Sequence, residues 1–214
     1  MRLGTFKVRI MGISPLLMHS SKGMKPRGSQ GEVGPKEEEA TKVAPPPPSV
    51  EEEAEEGAHR LADGRLYVPG AAVREALIEA CRGYDITVEG KSKKQPLWKV
   101  MAGSVFLPQA EIALYREGKA ITDYEIDLRR VVVARSGIVR ARPVIRLPWE
   151  LEVVLEYDAG QWASVGMIME MLNNAGRYPG LLEFRPEKGG TFGRFEAELS
   201  EVQGKASRKI AVAV

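Results

Sequence analysis

The sequence of 214 residues has one cysteine, two histidines and no long apolar run. With Cys81 alone, an intrachain disulfide and a cysteine-built metal site are both excluded. Cys81 follows Ala80 in an apolar helical stretch and reads as a small buried hydrophobe. The N-terminal apolar stretch, Ile13 to Met18, is broken by Pro15. No signal peptide, membrane span or membrane partner is therefore expected, and a cytoplasmic location is. The chain lacks a Walker-type phosphate loop, which argues against an ATPase. It lacks a His–Cys or paired-carboxylate arrangement that would hold zinc. Asp123 and Asp127 lie in an extended stretch and do not make a two-metal centre. No metal and no other cofactor is expected. Overall charge bias is missing too: 31 Lys and Arg face 29 Asp and Glu. Any anion-binding surface must therefore be local.

What the chain does have is a contrast in charge. Asp127 to Arg146 carries Arg129, Arg130, Arg135, Arg140, Arg142 and Arg146 against Asp127 alone. Glu32 to Glu56 carries nine glutamates against Lys36 and Lys42, a net −7 that leaves the rest of the chain at +9. Valines and Ile145 interleave the first stretch, so it reads as sheet presenting arginine. The second is broken by Pro45 to Pro48 and reads as an arm or flap.

Along the chain, Thr5 to Ile10 alternates as a half-buried strand, with Lys7 and Arg9 on its polar face. Residues 20–60 show no core pattern and form an acidic insertion rich in Pro, Gly and Glu. Leu66 to Val68 is a short strand, and Ala71 to Arg82 a helix ended by Gly83. Val100 to Phe106 and Ala110 to Leu114 read as strands. Val131 to Ala134 and Ile138 to Ile145 form a hairpin, with Gly137 supplying the turn. Leu151 to Tyr157 is a central strand. Gln161 to Ala175 is a second helix capped by Gly176, and Phe192 to Leu199 a closing strand. The order predicts an α+β class: a ferredoxin-like, RRM-like antiparallel sheet with two packed helices, an extended β-hairpin and a long acidic insertion. One domain would comprise residues 1–19 and 61–204, with 205–214 as a tail.

Gly12 to Leu17 after the first strand, then Leu66-Tyr67-Val68-Pro69-Gly70-Ala71-Ala72-Val73-Arg74, resembles the repeat-associated (RAMP) superfamily, which includes backbone subunits of CRISPR effector complexes. Gly189 to Phe195 is similar to the glycine-rich turn before that superfamily's last strand. The chain also resembles small uncharacterised phage, prophage and archaeal-virus proteins, through Pro15-Leu16-Leu17-Met18-His19 and Phe192-Gly193-Arg194-Phe195. The resemblance spans most of residues 5–199, outside the acidic insertion. It implies an RNA-recognition-like fold, single-stranded DNA or RNA as partner, and side-by-side assembly into a homo-oligomer or filament. A phage protein of this kind would coat single-stranded DNA, and a CRISPR subunit would hold guide RNA. The acidic insertion departs from the basic thumb the superfamily leads one to expect.

The candidate nucleic-acid-binding residues follow. The hairpin supplies Arg129, Arg130, Arg135, Arg140, Arg142 and Arg146, because arginine forks fit phosphate oxygens and stack on bases. In an unbroken strand Arg140, Arg142 and Arg146 share one face. The bland reading is a solvated strand face. Lys91, Lys93 and Lys94 form a second basic loop, and Lys7 and Arg9 would extend a groove. Arg177, Tyr178, Arg185 and Arg194 cluster around glycines, a setting suited to base stacking. No catalytic residue is assigned. His19 is the candidate for a general base in metal-independent RNA cleavage, as in processing relatives of the same superfamily, but no partner for it can be picked from the sequence. Two accounts stay open: a non-catalytic, largely sequence-independent binder of single strands, and an assembly protein whose arginines meet neighbouring acidic arms.

Overall fold

The computed structural model describes residues 3–20, 48–87, 92–133, 136–158 and 164–203. Lys91, Arg135, residues 21–47 of the acidic insertion and the tail lie outside the described residues. The elements run β1 (Leu3–Gly12), β2 (Leu16–Leu17), α1 (Val50–Gly57), β3 (Tyr67–Pro69), α2 (Gly70–Ala80), β4 (Asp85–Ile86) and β5 (Gln95–Pro96). They continue with α3 (Leu97–Ser104), β6 (Val105–Phe106), β7 (Glu111–Ala113), β8 (Tyr115–Arg116), β9 (Lys119–Ala120) and β10 (Glu125–Val133). The last four are β11 (Ser136–Ile145), β12 (Glu150–Asp158), α4 (Val165–Arg177) and β13 (Phe195–Gln203).

The main sheet has the order β13–β1–β12–β8–β9, with β6 also pairing β12, and every pair in it is antiparallel. A second sheet is built from β10, β11 and β2. The fold is mixed α+β with several antiparallel sheets and no closure into a barrel, consistent with a general ferredoxin-like arrangement. Alternation in β1 places Phe6, Val8 and Ile10 on the buried side, where Val73 and Leu77 of α2 and Ile168, Leu172 and Ala175 of α4 meet them. This apolar layer holds the helices on one face of the sheet. Cys81 is fully buried, and its thiol donates to the Leu77 carbonyl. Burial pushes its pKa up to about 12, so it is an inert core group.

Four expectations change. Residues 100–106 are mostly helix, not strand: Leu97, Val100, Met101 and Ser104 are buried at helical spacing in α3, and only Val105–Phe106 pairs in a sheet. A short apolar run carries too little periodicity to separate the two. The acidic insertion contains a helix, α1. Ser49 caps it by accepting the Glu52 N–H, and the Glu52 carboxylate accepts the Ser49 N–H in return. This reciprocal cap offsets the poor intrinsic prospects of an eight-residue acidic helix. Gly137 lies in the β-ladder opposite Val132, so it does not form the turn. Gly176 lies inside α4, which runs on to Arg177. A Cβ at Gly176 would overlap the Phe195 carbonyl, so the missing side chain lets α4 sit directly on β13.

Candidate nucleic-acid interface

The β10–β11 register sorts the hairpin arginines onto two faces. Asp127 stands opposite Arg142, Arg129 opposite Arg140, and Arg130 opposite Val139. Asp127, Arg129, Arg140 and Arg142 therefore share one face, which turns towards the body of the protein. The Arg129 guanidinium lies 4.4 Å from the Phe184 ring centre and 5.0 Å from that of Phe192. Asp127 accepts a hydrogen bond from its Nε at 3.1 Å. Phe184 reaches this position from a left-handed backbone, φ 49°, close to Leu182 at φ 58°. Such conformations cost free energy, which the contact of the Arg129 guanidinium with the two tilted rings helps to offset.

Arg140 donates to Glu53 of α1 at 3.0 Å, and the other Glu53 oxygen accepts the Ala141 N–H at 3.1 Å. One carboxylate thus neutralises an arginine and closes a free backbone donor on β11. Arg142 faces Glu183 at 3.7 Å, with its side chain only 12% exposed. Its Nε is buried without a hydrogen-bond partner among the described residues. Arg146, just past β11, pairs with Glu125 at 2.9 Å. On the opposite face Arg130 is exposed and lies across Gly137, whose lack of a side chain leaves it room. Leu128 and Val139 on that face are 58% and 64% exposed.

The outer face of the main sheet is acidic. The register puts Lys7 and Arg9 beside Glu150, Glu152, Glu156, Glu196, Glu198 and Glu201. Lys7 pairs with Glu201 at 3.1 Å and Arg9 with Glu150. The Glu201 contact raises the Lys7 pKa. Six carboxylates around two cations repel phosphate.

A third group lies where α4 meets β13. Gly176 touches Phe195, and the Leu181 N–H donates to the Gly193 carbonyl at 2.8 Å. Residues 176–181 therefore run beside 193–195 and bring Arg177, Tyr178 and Arg194 to one end of the molecule. Gly193 takes φ 69° and would collide with Leu181 if it carried a Cβ. Arg194 is fixed through its backbone: its N–H donates to Ser14 Oγ and its carbonyl accepts from Ile13. Its side chain is exposed, as is that of Arg177, and Tyr178 is 67% exposed. Among the described residues neither arginine forms an ion pair. Arg185, nearby in sequence, is used internally: it binds Glu187 at 2.9 Å and the Leu182 carbonyl at 2.8 Å. Lys93 and Lys94 are exposed on the β4–β5 loop, where Gln95 donates to both of their carbonyls.

His19 and His59 both line a groove of about 550 Å³ between α2 and residues 180–187, with Glu75, Glu79 and Glu183. Burial lowers the His19 pKa, Glu183 and Glu53 oppose this, and Arg142 and Arg140 add to it. His19 therefore sits at the junction of α1, β11 and the 182–185 loop. No group of three His, Cys, Asp or Glu able to hold a metal occurs among the described residues. No helix among them is long and apolar enough to cross a membrane. The sequence reading missed Glu53 and Glu183 as the arginines' partners. The Ser49-x-x-Glu52 spacing was a usable signal for α1, while nothing local marks Glu183 as a neighbour of Arg142.

The fold and these surfaces define an α+β protein with cationic, acidic and aromatic surfaces set apart from one another. No protein-family model matches the chain, and no curated protein matches it in sequence. Among solved structures it is similar to a chain titled "Type IV-B CRISPR Complex", with 13% identity, a TM-score of 0.47, and coverage of 98% of this chain and 95% of that one.

Proposed function

We propose that the protein is a non-catalytic, largely sequence-independent binder of single-stranded nucleic acid, built on a ferredoxin-like core of the RNA-recognition kind. The observation that carries this reading is the α4–β13 end, where Arg177, Tyr178 and Arg194 are exposed without acidic partners among the described residues. Two cations beside a free aromatic ring supply phosphate contact and base stacking, and neither chemistry reads sequence. Exposed Arg130 extends this chemistry onto the hairpin. The glutamate-rich sheet face is not part of the interface in this reading, so Lys7 and Arg9 serve the fold. His19 has no catalytic part, because its neighbours Arg140, Arg142, Glu53 and Glu183 hold one another in ion pairs.

A second reading, assembly of copies side by side, is favoured by the exposed Leu128 and Val139 on the outer hairpin face. It is compatible with the first. Fluorescence polarisation with labelled single-stranded DNA, single-stranded RNA and duplex DNA over a salt series tests the binding reading. Preference for single strands, with affinity falling as salt rises, is the expected result, because binding releases counterions. Equal binding to all three probes without a salt slope refutes it. The same series at several protein concentrations detects cooperative assembly.

A further inference from the structure

We propose a second single-strand-binding surface at the corner between α2 and α3, where Tyr84 and Trp98 stack bases and Arg82, Lys93, Lys94 and Lys99 contact phosphates. It rests on the reading that the protein binds single strands, and it adds a site remote from Arg177 and Arg194 in sequence and fold element. The corner is built by the short β4–β5 ladder. Asp85 pairs with Pro96, and the Leu97 N–H donates to the Tyr84 carbonyl at 2.8 Å. These bonds fold the end of α2 back onto the start of α3. The Arg82 guanidinium then lies 5.3 Å from the Trp98 ring centre and the Lys99 ammonium 5.4 Å from it. Tyr84 is 48% exposed. Lys93, Lys94 and Lys99 are all exposed, and none forms an ion pair among the described residues.

Charge and shape both select the ligand. Among the described residues of this corner, four cations meet two acids, Glu79, which pairs with Arg82, and exposed Asp85. The remaining positive charge calls for an anion. Lysines alone would accept an acidic peptide equally well, but two aromatic rings among them match the alternation of base and phosphate along a single strand. Trp98 with two cations near its ring resembles a base platform already flanked by phosphate donors. Leu97 and Met101 anchor α3 in the core, so Trp98 is held by a packed helix and not by a free loop. This corner belongs to the helix layer, which the sheet separates from its own glutamate-rich face.

The test uses the full chain and the emission of Trp98. In a W162F background, titration with oligo-dT and oligo-U should quench tryptophan emission, and the quench should vanish when W98F is added, since the one tryptophan then left, Trp149, is buried in the core. The surface variant K93E/K94E should lower affinity about tenfold without loss of thermal stability, whether or not Trp98 variants fold well. The variant R177E/R194E should lower affinity yet retain the quench at saturating oligonucleotide. Undiminished binding by K93E/K94E together with unchanged emission overturns this site and leaves the proposed function standing. Quenching by poly-glutamate but not by oligonucleotide overturns it in favour of a protein partner. Failure of the wild-type protein to bind either oligonucleotide overturns both readings together.

Discussion

On the inner face of the hairpin, Arg129, Arg140 and Arg142 each meet a carboxylate: Asp127, Glu53 and Glu183. At the α4–β13 end, Arg177 and Arg194 meet none among the described residues. Both regions are arginine-rich in sequence, and the first is far denser. The difference teaches that charge density along a chain is not charge available to a ligand. An arginine held by a partly buried carboxylate and an aromatic ring must give up those contacts before it can bind phosphate, so its net gain is small. An exposed, unpaired arginine forfeits only hydration and some side-chain freedom.

The largest expected effect comes from breaking the scaffold of the unpaired end. Gly176→Ala would push α4 off the Phe195 carbonyl and should cost about 3 kcal/mol of stability, measured by urea unfolding. Reversing the charges themselves, with R177E/R194E, should reduce single-strand affinity by about a hundredfold at low salt. Its unfolding midpoint should stay close to that of the wild type, since both side chains are exposed. If affinity holds, the comparison between the two regions fails.

The paired region should answer the other way. Glu53→Ala removes the partner of Arg140 and the acceptor of the Ala141 N–H. It should cost about 1.5 kcal/mol and should not weaken binding. A rise in affinity would show that the freed Arg140 joins the interface. His19 gives a pH test of the same junction. Its folded pKa lies below the ordinary value of 6.5, so the unfolded chain takes up the proton first as pH falls. The stability linked to His19 is therefore full above about pH 6.5, is lost as pH falls below it, and levels off under the depressed folded value. Replacing His19 with glutamine should flatten the wild-type slope of urea midpoint between pH 7 and 5. The smallest effect belongs to the glutamate-rich sheet face. Lys7→Gln with Arg9→Gln should leave the urea unfolding midpoint and the single-strand affinity close to those of the wild type, since exposed ion pairs contribute little.

Much of the fold was legible because it is written in local periodicity. The alternation around Phe6, Val8 and Ile10 gave β1, and the spacing of Val73, Leu77 and Ala80 gave α2. The spacing of Ile168, Leu172 and Ala175 gave α4. Where two periodicities compete over a short run, as in Val100 to Phe106, the reading went to strand while the chain stays helical as far as Ser104. The α1 helix was overlooked because its composition is that of a solvated segment, although its capping box was in plain sight. The candidate site was legible as a set of residue types. Which arginines are occupied was not, because Glu53 and Glu183 are 87 and 41 positions away from Arg140 and Arg142.

By itself the sequence determined the α+β alternation of elements, the apolar faces that pair them, the inertness of a lone cysteine and the separation of acidic and basic stretches. These follow from short-range patterns and composition. Only the tertiary structure decided that Arg129, Arg140 and Arg142 of the hairpin turn inward onto carboxylates and, for Arg129, onto aromatic rings. It also decided that the open sheet face is acidic, and that Arg177, Tyr178 and Arg194 come to one end without an ion pair among the described residues. Pairing of charges is a contact between distant segments, and its strength depends on the distance and burial that folding alone sets.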